Sequence, residues 1–261
     1  MNLELAGRKA LVTGASRGIG RAVAEALVRE GCTDLVLVAR DATALADIRE
    51  RLLAAAPQAH VAIFPADLGD PAAIADVAAR FPDVDILVNN AGAIPHGTLA
   101  AVSDETWLEA WNLKVHGFIR LTRACYPRMA ARRDGVIVNV IGYAGDRVAA
   151  NYLAGSTGNA ALIALTKALG AASPADNVRV VGVNPGHILT ERLQKRLAAH
   201  ARERFGDEGR WPELATAYPF GRAGRPEEVA DTVAFLASPR AGYISGTVVT
   251  VDGGMTNRPV F

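Results

Sequence analysis

The stretch Ala10-Leu11-Val12-Thr13-Gly14-Ala15-Ser16-Arg17-Gly18-Ile19-Gly20 decides the fold of this chain. An apolar run, Ala10 to Val12, enters a cluster of three glycines, and a helical pattern from Ile19 to Glu30 leaves it. Strand, glycine turn and helix in that order let a backbone approach a pyrophosphate closely. The helix start adds free N–H groups and the positive end of a dipole. The spacing is Gly-x-x-x-Gly-x-Gly, not the commoner Gly-x-Gly-x-x-Gly. Gly14, Ser16, Arg17, Gly18, Ile19 and Gly20 are therefore the first candidate ligand contacts.

Outward from this turn, apolar runs alternate with helical patterns. Strands are expected at Ala10–Thr13, Leu35–Ala39, Val61–Pro65, Ile86–Asn89, Val136–Val140, Val178–Val183 and Thr247–Val251. Most are continuous Val/Ile/Leu runs, the pattern of strands covered on both faces. Helices are expected at Ile19–Glu30, Thr43–Ala55, Ala72–Arg80, Ser103–Met129, Tyr152–Leu169 and Pro226–Ala237. Such alternation predicts an α/β chain with a parallel sheet between two helix layers. At 261 residues, one domain is expected over the whole length, 1–261. Ile188 to Gly224 breaks the alternation just after a strand end, where ligands bind in such sheets, so it is expected to be a lid.

Composition narrows the partners. Half the residues are hydrophobic and the net charge is +1, which gives no basic footprint for nucleic acid and no polybasic membrane patch. No apolar run approaches the roughly 20 residues of a spanning helix, and Met1 to Leu5 lacks the character of a signal peptide. Cys32 and Cys125 make neither a disulfide framework nor a zinc spacing, and suit small packing residues in a reducing cytoplasm. The five histidines include no i, i+4 pair, so no metal is expected.

The second strand should name the dinucleotide. An acid at its end would bind the ribose 2′-OH of NAD(H), whereas an arginine accommodates the 2′-phosphate of NADP(H). Here the strand ends at Ala39-Arg40-Asp41, and Arg17 can converge on the same phosphate. Two guanidinium groups match a dianion, which favours NADP(H) over NAD(H). In the other reading Arg40 is a solvated charge and Asp41 serves the ribose. Asp67-Leu68, after the third strand, stands to meet the adenine, with Asp67 at its amino group.

These residues, together with Asn89-Asn90-Ala91-Gly92, Asn139, Asn184-Pro185-Gly186 with Thr190, Gly224-Arg225-Pro226-Glu227-Glu228-Val229-Ala230, Ile244-Ser245-Gly246 and Val251-Asp252-Gly253-Gly254, resemble the short-chain dehydrogenase/reductase family. The resemblance spans nearly the whole chain, with the motifs in order. It implies a three-layer Rossmann fold with a seven-stranded sheet, in a homotetramer or homodimer. It also implies nicotinamide-cofactor contacts from Asn90, Ala91 and Gly92, and from Pro185, Gly186 and Thr190.

The family's chemistry uses asparagine, serine, tyrosine and lysine. The tyrosine gives a proton to a carbonyl, and the lysine lowers the tyrosine's pKa and binds the nicotinamide ribose. Counting from the flanking motifs places Lys114 at the asparagine, Gly142 at the serine, Gly155 at the tyrosine and Asn159 at the lysine. All four positions are substituted in this register. Lys114 and Asn159 look reciprocal, which predicts a positive charge under the ribose delivered from the other helix. The bland reading is a surface lysine in a decayed site. Tyr152, at i with Gly155 at i+3 and Asn159 at i+7, is expected on the same helix face and is the proton-donor candidate. Helical lean should carry its hydroxyl further from Gly155, although a glycine there leaves room for it to fold back. Tyr143, His116, His187 and Asp146 are further candidates, and Asn112 lies out of register. The chain is thus expected to interconvert a carbonyl and an alcohol on a small molecule with NADP(H). The competing readings are a dinucleotide-binding sensor or structural subunit, or a non-redox enzyme on the same fold.

Overall fold

The computed structural model describes residues 2–258. Seven strands form one parallel sheet: β1 (Lys9–Thr13), β2 (Asp34–Ala39), β3 (His60–Pro65), β4 (Ile86–Asn89), β5 (Gly135–Val140), β6 (Val178–Pro185) and β7 (Val248–Val251). Their spatial order is β3-β2-β1-β4-β5-β6-β7. Order reverses between β1 and β4, and the crevice beyond their carboxyl ends is where open α/β sheets bind ligands. The helices are α1 (Gly18–Arg29), α2 (Ala42–Ala55), α3 (Pro71–Arg80), α4 (Asp104–Trp111), α5 (Gly117–Arg132), α6 (Leu153–Ala172), α7 (Glu191–Phe205), α8 (Trp211–Ala215) and α9 (Pro226–Ala237).

The continuous apolar runs split by period two. Ala10, Val12, Leu35, Leu37, Ile86 and Val88 pack with α1 and α9 residues such as Val23, Leu27, Val229 and Val233. Leu11, Val36, Val38, Leu87 and Ile137 face the other layer with Ile74, Val77, Leu121 and Met129. The five inner strands β2, β1, β4, β5 and β6 are thus buried on both faces, the condition their uninterrupted hydrophobicity implied, while the edge strands β3 and β7 are only partly covered.

Two expected helices differ in ways that matter to the cleft. The run Ser103–Met129 is not one regular helix. Ser103 caps α4, and between α4 and α5 the residues Asn112–His116 form a π turn. Such turns insert an extra residue and re-aim side chains, and they recur at functional sites. Tyr152 is not a residue of α6 but its N-cap, at φ −145° and ψ 41°. It is therefore free of the helical side-chain direction assumed from the sequence.

The stretch 188–224 folds on itself. Leu193, Leu197, Ala215 and Ala223 make a small separate core with Leu189, Trp211, Leu214 and Tyr218. Its ends are tied together: Leu189 N–H donates to Gly224 O at 2.7 Å, and Gly224 N–H donates to His187 O at 2.9 Å.

Candidate active site

A cavity of about 1110 Å³ runs along the carboxyl ends of the strands. One end is built from backbone. Gly14 and Gly18 take φ values of +64° and +54°, the left-handed region that side chains resist. Thr13 ties the β1 end to β4: its Oγ1 accepts from the N–H groups of Asn90 (2.8 Å) and Ala91 (3.0 Å) and donates to Val88 O (3.2 Å). The Asn90 amide donates to Thr13 O at 2.9 Å, bracing the turn. Arg17 and Arg40 line this end, both exposed. Arg40 lies 3.9 Å from Asp67, an open pair that contributes about 0–1 kcal/mol and leaves the guanidinium free to reorient. The Asp41 carboxylate caps α2, accepting from Ala44 N–H at 3.0 Å, so it is already engaged.

The other end is built from side chains. The π turn aims Lys114 across Gly92, where a Cβ would come within 2.8 Å of the lysine Cδ. The Lys114 ammonium donates to Ile141 O at the end of β5. Its stem lines the cleft, while burial of the charged end, aided by nearby Arg192, lowers its pKa to about 8. Asn159 is buried against the next residue: a Cβ on Gly142 would meet Asn159 Nδ2 at 2.9 Å. The Asn159 Oδ1 is buried without a hydrogen-bond partner.

The Tyr152 ring folds over Gly155. A Cβ at Gly155 would lie 2.1 Å from Tyr152 Cε1 and Cζ, so only glycine accommodates this pose. The expected displacement of the hydroxyl along the helix does not occur, because the cap backbone turns the ring inward. Tyr152 stacks on His96 with centroids 4.3 Å apart. Burial raises its pKa, with Arg192 and Arg196 pulling the other way.

Of the expected contacts, Gly14, Ser16, Arg17, Gly18, Ile19, Arg40, Leu68, Asn90, Ala91, Gly92, Lys114, Tyr152, Asn159, Pro185, Gly186 and Thr190 line the cavity. Gly20 and Asp67 are not on its wall. Gly20 packs under the turn, where a Cβ would meet Gly14 O at 2.2 Å. Asp67 turns its Oδ1 onto Gly69 N–H at 2.9 Å. Among the further candidates, Tyr143 and His187 face the cavity with Tyr143 Oη 3.4 Å from His187 Nε2. Burial lowers the His187 pKa to about 4, which makes it neutral near pH 7 and no source of a proton. His116 lies off the cavity wall. Asp146 accepts from Asn184 Nδ2 at 2.7 Å, and Asn112 accepts from Arg120 at 3.4 Å. His96, Arg147, Arg192 and Arg196 also line the cavity and were not singled out from the sequence. Only the basic spacing Arg192, Arg196 on an amphipathic helix could have drawn notice to them. Among the described residues no cluster of His, Cys, Asp or Glu suits a metal ion, and no helix is long and apolar enough to cross a membrane.

Comparison with known proteins agrees with this architecture. The family model described as enoyl-(acyl carrier protein) reductase matches residues 14–256. The 3-oxoacyl-[acyl-carrier-protein] reductase FabG of Vibrio cholerae is 36% identical, covering 98% of this chain and 99% of its own length. The L-sorbose reductase of Gluconobacter frateurii, solved with NADPH and L-sorbose, superposes with a TM-score of 0.92 at 32% identity over 99% of this chain and all of its own. A structure described as a short chain dehydrogenase/reductase family protein is 36% identical with a TM-score of 0.83, covering 98% of this chain and all of its own. With its reversed strand order, glycine turn and matches along nearly its full length, the chain belongs to the short-chain dehydrogenase/reductase family.

Proposed function

We propose that the protein is an NADP(H)-dependent oxidoreductase that interconverts a carbonyl and an alcohol, with a reactive end organised around Lys114. The observation that carries this reading is the Lys114 ammonium, buried at the cleft floor on Ile141 O beside the unpartnered Asn159 Oδ1. A buried amine with a pKa near 8 is costly in a cleft with no chemistry to perform.

The residues fit the cofactor. Gly14, Gly18, Gly92 and Gly186 line the cavity with bare backbone, where a Cβ would press on Asn90, Thr190, Lys114 and Asp252, and the start of α1 offers N–H groups toward a pyrophosphate. Arg17 and Arg40 supply two guanidinium groups for a 2′-phosphate, while the cap role of Asp41 argues against a ribose-binding acid there. Asn159 Oδ1, buried and unpartnered, would accept from a ribose hydroxyl of the bound cofactor, and Lys114 would supply positive charge near the same sugar. NADP(H), when bound, supplies or takes up a hydride at the substrate carbon. Tyr152 holds the proton exchanged with the substrate oxygen, its ring occupying the space that Gly155 vacates. In family register Lys114 stands for the asparagine, Gly142 for the serine, Gly155 for the tyrosine and Asn159 for the lysine. The site thus keeps a cation and a phenol but delivers each from a different residue.

The segment 188–224 acts as a lid over the reactive end. The α9 and β7 region, where Tyr243 stands fully exposed, serves assembly into a homodimer or homotetramer. The test is absorbance at 340 nm over a panel of ketones, aldehydes and alcohols. Turnover that Tyr152→Phe lowers by about 100-fold or more supports the reading. Tight NADPH binding with no turnover across the panel sinks it.

A further inference from the structure

One wall of the cleft carries a charge pattern that hydride transfer itself does not require. In α7, Leu193, Leu197 and Ala201 form the buried stripe. Arg192, Lys195, Arg196 and His200 fall at i, i+3, i+4 and i+8, and all four line the cavity. Like charges at these spacings repel, and surface helices usually relieve this with acids on the same face. The ion pair of α7, Arg202 with Glu208 at 3.3 Å, lies at the far end of the helix. Among the described residues Arg192, Lys195 and Arg196 pair with no carboxylate.

The surroundings aim this charge at the reactive end. Arg196 Nη1 lies 2.8 Å from His96 Nε2, and His96 stacks on Tyr152. Burial together with Arg196 and Arg192 lowers the His96 pKa, so the ring accepts from the guanidinium and adds no charge. Arg147 faces the same space from beyond β5. The acids on the cavity wall are Asp41, which caps α2 at the other end, and Glu191, in the first turn of α7. Asp252 is taken up by the N–H groups of Gly254 (2.7 Å) and Thr256 (2.6 Å). Among the described residues no carboxylate lies within ion-pair distance of Arg192 or Arg196.

We infer that Arg192 and Arg196 form an oxyanion subsite, and that the substrate is a carbonyl compound carrying a carboxylate or phosphate group seated there with its carbonyl toward Tyr152. Two guanidinium groups one helical turn apart suit such a group, since each offers a planar fork of N–H donors. The inference rests on the oxidoreductase reading and adds the substrate's chemical class to it. The cofactor's phosphates have their own cradle at Gly14–Gly18 and Arg40; Gly18 touches α7 only at its cap, where a Cβ would meet Thr190 at 3.2 Å, ahead of the two arginines.

The test compares matched pairs on the full chain with NADPH: benzoylformate with its methyl ester, levulinate with its methyl ester, and dihydroxyacetone phosphate with dihydroxyacetone. The charged member of at least one pair is expected to show about tenfold or higher kcat/KM. Which pair responds separates carboxylate from phosphate. In Arg192→Gln/Arg196→Gln that ratio should fall toward one, chiefly through KM, while the NADPH dissociation constant from fluorescence stays within about twofold. Neutral members that serve as well as their charged partners overturn the inference. So does a double variant that weakens NADPH and leaves the ratio intact. If no compound oxidises NADPH, the redox reading fails, and calorimetry decides the subsite alone. Benzoylformate or glycerol phosphate binding to the NADP-saturated protein, lost in the double variant, supports it. No heat of binding with either anion overturns it.

Discussion

The two ends of the cleft are made of different material. At the glycine turn the wall is main chain, held by Thr13 and Asn90, and little there can move without moving β1, β4 or α1. At the reactive end the wall is side chain. Lys114, Asn159, Tyr152 and the α7 arginines arrive from a π turn, a helix interior, a cap and a helix surface. A site made of backbone is constrained by the fold and changes slowly. A site made of side chains can trade the source of a charge between neighbouring helices while keeping the charge.

The sharpest way to break this contrast is at Lys114. Lys114→Met is expected to lower turnover by about 10²- to 10⁴-fold. Thermal melting should not fall, because the change removes a charge from a poorly solvated place. A variant that keeps its turnover would make the lysine ornamental. Gly20→Ala tests the backbone end. Its Cβ would lie 2.2 Å from Gly14 O, so about 1–3 kcal/mol of stability should go, with NADPH affinity falling alongside. Denaturant melts and fluorescence titration read both quantities.

A pH series sharpens the difference further. With a pKa near 8, the ammonium is present below that pH and lost above it, so reduction should fall about tenfold per unit above pH 8. That limb should vanish in Lys114→Met. The unfolded lysine titrates at its ordinary 10.5, so the folded chain binds fewer protons between 8 and 10.5. Wild-type stability relative to Lys114→Met should therefore rise across that window and stay level below it. The smallest effect is expected at Arg40→Ser, which should weaken NADPH about tenfold and leave NADH unchanged. Equal losses for both cofactors would place Arg40 outside the 2′-phosphate site.

The backbone end was legible from sequence because its signals are local. Glycines at fixed spacing, strand runs and the Ala39-Arg40-Asp41 strand end each sit within a few residues of what they do. Gly20 and Asp67 belong to the same local motifs, although neither lies on the cavity wall. The reactive end was only half legible. Register counting brought out Lys114 and Asn159, but nothing in Asn112–His116 announces a π turn, since a π turn depends on tertiary packing. For Tyr152 the helical pattern leaves two poses open, and the non-helical dihedrals of the cap select the one folded over Gly155. His96 and Arg196 meet 100 residues apart, a proximity that only the folded chain supplies.

The twin hydrogen bonds that join Leu189 and His187 to Gly224 close the 188–224 segment at its root. Because it leaves the body after β6 and returns to it ahead of α9 at one point, and carries its own apolar centre, it is a cassette. With Thr190 kept against Gly18, a segment of other length or composition should be graftable between it and Gly224 without disturbing the nucleotide cradle, so new selectivity can be exchanged as a unit.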